Sequence, residues 1–179
     1  MRPMALVSSP SGKLGVRSVT GSLEIGTSAE AAFSLLTTPE KWPVWLAFVR
    51  SAERVRPGEP LEIGSEVVLR SAIPGEPEQT YEVDRFIRDF HLSLVGAYSV
   101  RRRIDVRVER KITRADATGS SRSKIHLRID YPAYGGHLGL LYDRLRHGRR
   151  LANALEESLA AFRGLAEFEN HGEPALADF

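Results

Sequence analysis

Arg110 is the residue whose type and place in this chain most invite chemistry. It follows Ile104, Val106 and Val108 at every second position and precedes Ile112, so it interrupts an aliphatic series that would face an interior. An unpaired guanidinium in a solid core costs several kcal/mol. Two readings answer that cost. In one, Arg110 lies near a strand end, reaches water along its aliphatic stem or pairs with a carboxylate. In the other, it projects into a partly hydrated cavity and meets a carbonyl or phenolate oxygen, as enolate stabilisation requires. Ser71, Tyr81, Arg85, Tyr98 and Tyr131 share the parity of inward aliphatics on other candidate strands. A tyrosine so placed is ordinarily a core residue with a satisfied hydroxyl.

Other chemistries lack a pattern. The chain has no cysteine, which excludes disulfides, thiolate nucleophiles, zinc–thiolate sites and iron–sulfur clusters. His91, His126, His137, His147 and His171 are scattered and are expected as ordinary surface or helix-cap histidines; no metal site and no cofactor are expected. There is no G-x-S-x-G elbow for a serine nucleophile. Gly135-Gly136-His137-Leu138-Gly139 lacks both the dinucleotide-binding order and a Walker lysine, and reads as a turn from the last strand into a helix. The basic run from Arg144 to Arg150 fits a contact for RNA or acidic lipid, or a solvated helix face. Without interleaved aromatics the solvated face is preferred, and Arg101-Arg102-Arg103 is read the same way.

The elements that would position these residues come in a telling order. Arg17 to Ile25 alternates, with Val19, Gly21, Leu23 and Ile25 on one side. Thr27 can cap a helix with Glu30 reaching back, carrying Ala32, Phe33, Leu35 and Leu36. Pro39 then opens a second short helical piece, in which Trp42, Trp45, Leu46 and Val49 share a face. Strands are expected over 51–56, 65–72, 80–87, 91–98, 103–112 and 123–131. The fourth of these sets Leu92, Leu94, Gly96 and Tyr98 together, and the third sets Tyr81, Val83 and Ile87 together. In the last, Ile125, Leu127, Ile129 and Tyr131 face in while Lys124, His126, Arg128 and Asp130 face out. That split fits an antiparallel sheet with one wet face. Asp116 to Ser120 reads as the hairpin loop before it. Finally, Leu141, Leu145, Gly148, Ala152, Leu155, Leu159, Phe162 and Ala166 step by four and three along one long helix. One such helix laid across a sheet wide enough to curl makes a hollow, ligand-holding body.

At 179 residues, with 42% hydrophobic and 27% charged residues, the chain fits one globular domain. The boundaries expected are a tail over 1–16, the domain over 17–168 and a second tail over 169–179. A net charge of +2 is too small an excess to imply nucleic acid, which is not expected as a partner. No stretch approaches the roughly 20 apolar residues of a membrane span, and Met4 to Val7 is too short for a signal peptide's core. A cytoplasmic location is therefore expected.

Leu23-Glu24-Ile25 running into Thr27-Ser28-Ala29-Glu30-Ala31-Ala32-Phe33, followed by Pro39-Glu40-Lys41-Trp42-Pro43-Val44-Trp45, resembles the start of the START-like or SRPBCC superfamily. Leu61-Glu62-Ile63-Gly64-Ser65 and the long last helix, entered through Tyr131-Pro132 and a glycine pair, add to the likeness. The resemblance covers residues 17–168 and implies an α+β helix-grip fold. In it a curved antiparallel sheet wraps a long C-terminal α-helix, two short helices follow the first strand, and a cavity lies between. The superfamily includes polyketide aromatase/cyclases, carriers of lipids and hydrophobic hormones, quinone-binding proteins and ring-hydroxylase subunits; the iron site of the last has no counterpart here. No motif transfers a catalytic residue.

The expected partner is thus a small hydrophobic ligand, aromatic or lipid-like, with a homodimer left open. The candidate cavity residues are Trp45, Val67, Leu69, Tyr81, Val83, Leu94, Tyr98, Val108, Arg110, Leu127, Leu141, Leu145, Gly148 and Ala152. An aromatase/cyclase-type enzyme and a protein-interaction module are the alternatives.

Overall fold

Alternating aliphatics dominate the architecture. The structure, a computed structural model, describes residues 16–97, 102–111, 122–132 and 147–171. Seven strands, β1 (Val16–Ile25), β2 (Val49–Arg54), β3 (Glu66–Ser71), β4 (Gln79–Ile87), β5 (His91–Gly96), β6 (Arg103–Lys111) and β7 (Arg122–Pro132), form one antiparallel sheet in the order β1-β7-β6-β5-β4-β3-β2. Two short helices, α1 (Ala29–Leu36) and α2 (Trp42–Trp45), separated by a 3-10 turn over Pro39–Lys41, link the two edge strands. The long helix α3 (Gly148–His171) packs on β1, α1 and α2. This is the expected helix-grip α+β architecture, a curled half-barrel closed by a C-terminal helix.

Register shows why the sheet has one greasy side. Ile104 pairs with Ile129, Val106 with Leu127 and Val108 with Ile125, while Leu92 and Leu94 face Val106 and Ile104 across the next ladder. All of these are buried, and they share one continuous core with Leu151, Leu155, Leu159 and Phe162 of α3. Each such aliphatic stabilises the fold by about 1.5–3 kcal/mol. Leu151 and Ser158, fully buried, widen the helix stripe beyond the expected positions.

The structure corrects the sequence reading in several places; Val49, expected on a helical face with Trp42 and Trp45, opens β2, and Arg85 is exposed. The cap of α1 is Ser28 and not Thr27: the Ser28 hydroxyl accepts the Ala31 N–H at 3.1 Å, while Thr27 is buried and its carbonyl accepts the Ser123 hydroxyl. In β4, Val83 pairs with Leu94 but Arg85 with Ser93, so one extra residue bulges the strand. The slip turns Phe86 inward, edge-on to Phe33 at 5.5 Å, and leaves Ile87 about half exposed, against the expected Tyr81–Val83–Ile87 row. His91 is buried in the sheet rather than superficial, and His147, which stands at the entry to α3 where a helix-cap histidine is expected, is buried as well. His91 Nε2 lies 2.9 Å from Asp105 Oδ2 on the sheet's other face, beside the buried Ser93. Arg102, expected on a solvated face, is buried as well.

Candidate functional site

Parity carries Arg102 inward. It stands two residues before Ile104, so the alternation that buries Ile104, Val106 and Val108 directs Arg102 to the same side, just ahead of β6. Its guanidinium grips Glu76 with both ends: Nη1 donates to Oε2 at 2.8 Å and Nη2 to Oε1 at 2.6 Å. The two side chains are only 8% and 12% exposed, so this is an interior ion pair. Glu76 comes from the loop between β3 and β4, whose neighbours Pro74, Gly75, Pro77 and Glu78 are all exposed. Gly75 takes φ +85°, a conformation that side chains disfavour, and so lets the loop fold Glu76 back under itself.

Further polar groups complete the carboxylate's shell. The Ser71 hydroxyl donates to Glu76 Oε2 at 2.6 Å and accepts the Ile73 N–H at 3.1 Å. His147, at the entry to α3, places Nε2 3.8 Å from Glu76 Oε1 and stacks edge-on against Tyr131 with ring centres 5.2 Å apart. Tyr81 donates its phenol to Gln79 Oε1 at 3.0 Å and lines the same small cavity as Arg102. The β3–β4 loop, the start of β6, the start of α3 and β4 thus meet at one carboxylate–guanidinium pair.

The charges respond to this enclosure. Burial by itself would raise the Glu76 carboxyl, but Arg102's hydrogen bonds and charge, with Ser71 and His147, outweigh it and hold the carboxyl below its ordinary range. Burial opposes the charge on Arg102, and Glu76 and Tyr81 more than restore it. The Tyr81 phenol is pushed up by burial despite the pull of Arg102. At neutral pH the site therefore holds a fixed cation, a fixed carboxylate and a neutral phenol.

Among the described residues six buried side-chain polar atoms have no hydrogen-bond partner: Arg102 Nε and the Trp45 indole Nε1, with Thr27 Oγ1, Arg54 Nε, Ser93 Oγ and His126 Nε2 elsewhere in the fold. Trp45 packs edge-on against Phe162 at 4.8 Å. Beside Arg102 lies a cavity of about 10 Å³, lined by Phe48, Val49, Leu69, Ser71, Tyr81 and Ile104 among others. That is about the space of a single water. A larger pocket, about 170 Å³, opens on the loop after β2, lined by Arg54, Glu59, Leu61 and Ile63 among others. It shares no residue with the Arg102 cluster.

The sequence-derived cavity residues divide into three groups. Trp45, Val67, Leu69, Tyr81, Val83, Leu94, Val108, Leu127 and Ala152 are buried in the single core, and Gly148 is half-buried at the start of α3. Tyr98, Leu141 and Leu145 lie outside the described residues. Arg110 is not brought to the cluster. It sits near the end of β6 with a 67% exposed side chain, paired with Glu30 of α1, the first of its two readings. The interior cation is Arg102, at the opposite end of the same inward row. Parity alone could have found it; Glu76, in a Pro-Gly-Glu-Pro turn, carried no comparable signal.

A curled antiparallel sheet gripping a C-terminal helix, with a buried polar cluster in its apolar interior, has the helix-grip fold of START-like proteins. Solved structures of other proteins share this fold. The Zhui aromatase/cyclase from Streptomyces sp. R1128 superposes with a TM-score of 0.66 at 16% identity, covering 87% of this chain and 96% of that one. A point mutant of norcoclaurine synthase from Thalictrum flavum, in complex with a transition-state analogue, gives 0.60 at 14% identity over 88% and 98%. The XoxI protein from Bacillus cereus gives 0.56 at 17% identity over 86% and 98%. At these identities the likeness is one of fold. The sequence matches no protein-family model and no curated protein.

Proposed function

We propose that this protein holds a small, largely apolar ligand, aromatic or lipid-like, between the inward face of the sheet and α3, with Arg102 at the ligand's polar end. The observation that carries this reading is the placement of a hydrogen-bonding cluster inside an otherwise hydrophobic interior, with Arg102 Nε unpartnered. A solid core gains nothing from such a cluster, because hydrophobic residues of equal volume are commonly as stable or more so. Binding sites, by contrast, combine apolar walls with a few convergent polar groups. Trp45, Leu69, Tyr81 and Leu94 supply walls, and the Trp45 indole N–H is a second donor in search of an oxygen. The small cavity beside Arg102 requires the walls to give way as the ligand enters. The test is to purify the native protein, extract it with organic solvent for mass spectrometry, and titrate it with naphthalene-sized and acyl-chain fluorophores. Saturable binding that fails in Leu94→Arg supports the reading; no extractable ligand and no saturable probe would end it.

The second reading, an enzyme of the aromatase/cyclase type, is favoured by one further feature. Arg102 and the neutral Tyr81 phenol stand together, and a cation beside a proton donor suits an enolate formed during aldol closure. Cyclised product formed from a poly-β-ketone thioester by the wild type, but not by Arg102→Met, would establish it. An interaction role has support only in the basic run, of which Arg149 and Arg150 are exposed.

A further inference from the structure

Glu76 occupies the place that a ligand's own carboxylate would take. We infer that the preferred ligand is a monocarboxylate with an apolar body, and that its carboxylate displaces Glu76 from Arg102, so releasing the β3–β4 loop as it enters. The inference rests on the cavity reading above and adds the ligand's charge and its route.

The geometry motivating it is the way Glu76 is delivered. The loop around it is exposed, and between β3 and β4 only Ile73 and Glu76 turn partly inward. The bidentate pair with Arg102 and the Ser71 hydroxyl are what fasten Glu76. Gly75 at positive φ turns the chain just before Glu76, with open space around it, so that the loop is otherwise held by Ile73 against the core and by the exposed Arg70–Glu78 pair. A carboxylate held by two parallel N–H donors is the arrangement that an incoming carboxylate reproduces without loss of charge balance. A neutral ligand cannot make the exchange, because it would leave Arg102 buried without a counter-charge. Arg102 Nε adds a donor that Glu76 leaves unused, so the entering group can gain a contact that the internal carboxylate lacks. The pocket beside the pair is walled by Phe48, Leu69 and Ile104, which continue into the hydrophobic core and give the ligand's body an apolar path. Ser71, Tyr81 and Gln79 of the same cavity, and His147 at 3.8 Å from Glu76, are the further polar groups that would face the exchanged anion.

The experiment compares matched acids and esters on the full chain: 2-naphthoate with methyl 2-naphthoate, and decanoate with methyl decanoate, by isothermal titration. Each acid is expected to bind the wild type at least tenfold more tightly than its ester, and the tighter of the two acids tells a flat body from a chain. Glu76→Gln weakens the internal competitor, so it should tighten the acid about tenfold further and leave the ester unchanged. In Glu76→Met/Arg102→Met, which replaces the pair by apolar volume and so keeps a foldable core, the preference should vanish. Hydrogen exchange over residues 74–78 should quicken with acid and not with ester. Equal binding of acid and ester, or a Glu76→Gln variant with unchanged or weaker acid affinity, overturns the exchange while leaving the cavity reading intact. If no acid or ester binds the wild type, both fall.

Discussion

Arg102 and Arg110 stand at the two ends of one inward-facing row, yet Arg102 is sealed beneath the β3–β4 loop by Glu76 and Arg110 reaches out to Glu30 on α1. The row between them, Ile104, Val106 and Val108, is buried throughout. Depth therefore separates two identical side chains. Near the end where α1 covers the sheet, a long stem carries the charge to solvent; at the other end the charge stays inside and is met by the Glu76 carboxylate.

Removing either guanidinium should have very different consequences. Arg102→Met strands the Glu76 carboxylate in the interior and should cost about 3–5 kcal/mol of stability. Arg110→Met breaks an exposed pair and should leave the urea midpoint unchanged within error. Replacing both Glu76 and Arg102 by methionine should recover most of the loss. Equal midpoints for Arg102→Met and Arg110→Met would show that the interior pair carries no stability.

The same pair should make the fold acid-sensitive. The folded Glu76 carboxyl lies below its ordinary value, so the unfolded chain binds more protons in that range and stability rises with pH. The contribution is complete above the unfolded glutamate value, about 4.3, and is lost as pH falls through the lower folded value. Unfolding free energies measured between pH 6 and pH 3 should therefore fall for the wild type. Glu76→Gln should be less stable at pH 6 and show a shallower decline. Parallel curves would assign the acid sensitivity to other carboxylates.

The β4 bulge offers a test that strand alternation alone would answer wrongly. Phe86→Ala should cost about 2 kcal/mol through its contact with Phe33 and the core, whereas Ile87→Ala should change stability by less than about 0.5 kcal/mol. The reverse order would mean that the strand runs without its extra residue.

That bulge also marks the limit of what the chain's pattern conveys. Period-two alternation marks six of the seven strands, β2 being the weak one, because these turn one face to the common core; the rows Ile104–Val106–Val108 on β6 and Ile125–Leu127–Ile129–Tyr131 on β7 are buried as their alternation predicts. A bulge reverses parity without any change in composition, so Ile87 looked internal and Phe86 did not. Arg102 was hidden for a different reason: three successive arginines suggest solvent, although only the middle one shares parity with Ile104. Glu76 and His147 meet Arg102 from a loop and a helix entry far apart in sequence, and no local spacing encodes that meeting.

Ser158 makes the closing helix more than an apolar lever. Fully buried on α3, its hydroxyl donates to the Ala154 carbonyl at 2.5 Å and accepts the Ala47 N–H, just beyond α2, at 2.9 Å. Helix stripes are read from aliphatic positions, and a serine between Leu155 and Leu159 carries no such signal. Ser158→Ala would leave the Ala47 N–H without its acceptor and should cost about 1–3 kcal/mol. Ser158→Val should cost no less, since added volume cannot replace the lost acceptor. The effect should be local: hydrogen exchange over Leu46 to Phe48 should quicken while the β6–β7 ladder keeps its protection. Because Phe48 also walls the pocket beside Arg102, the variant should weaken any ligand of that pocket. A Ser158→Ala protein with wild-type exchange at Ala47 would show that α2 is held to α3 by Trp45 and Phe162 alone.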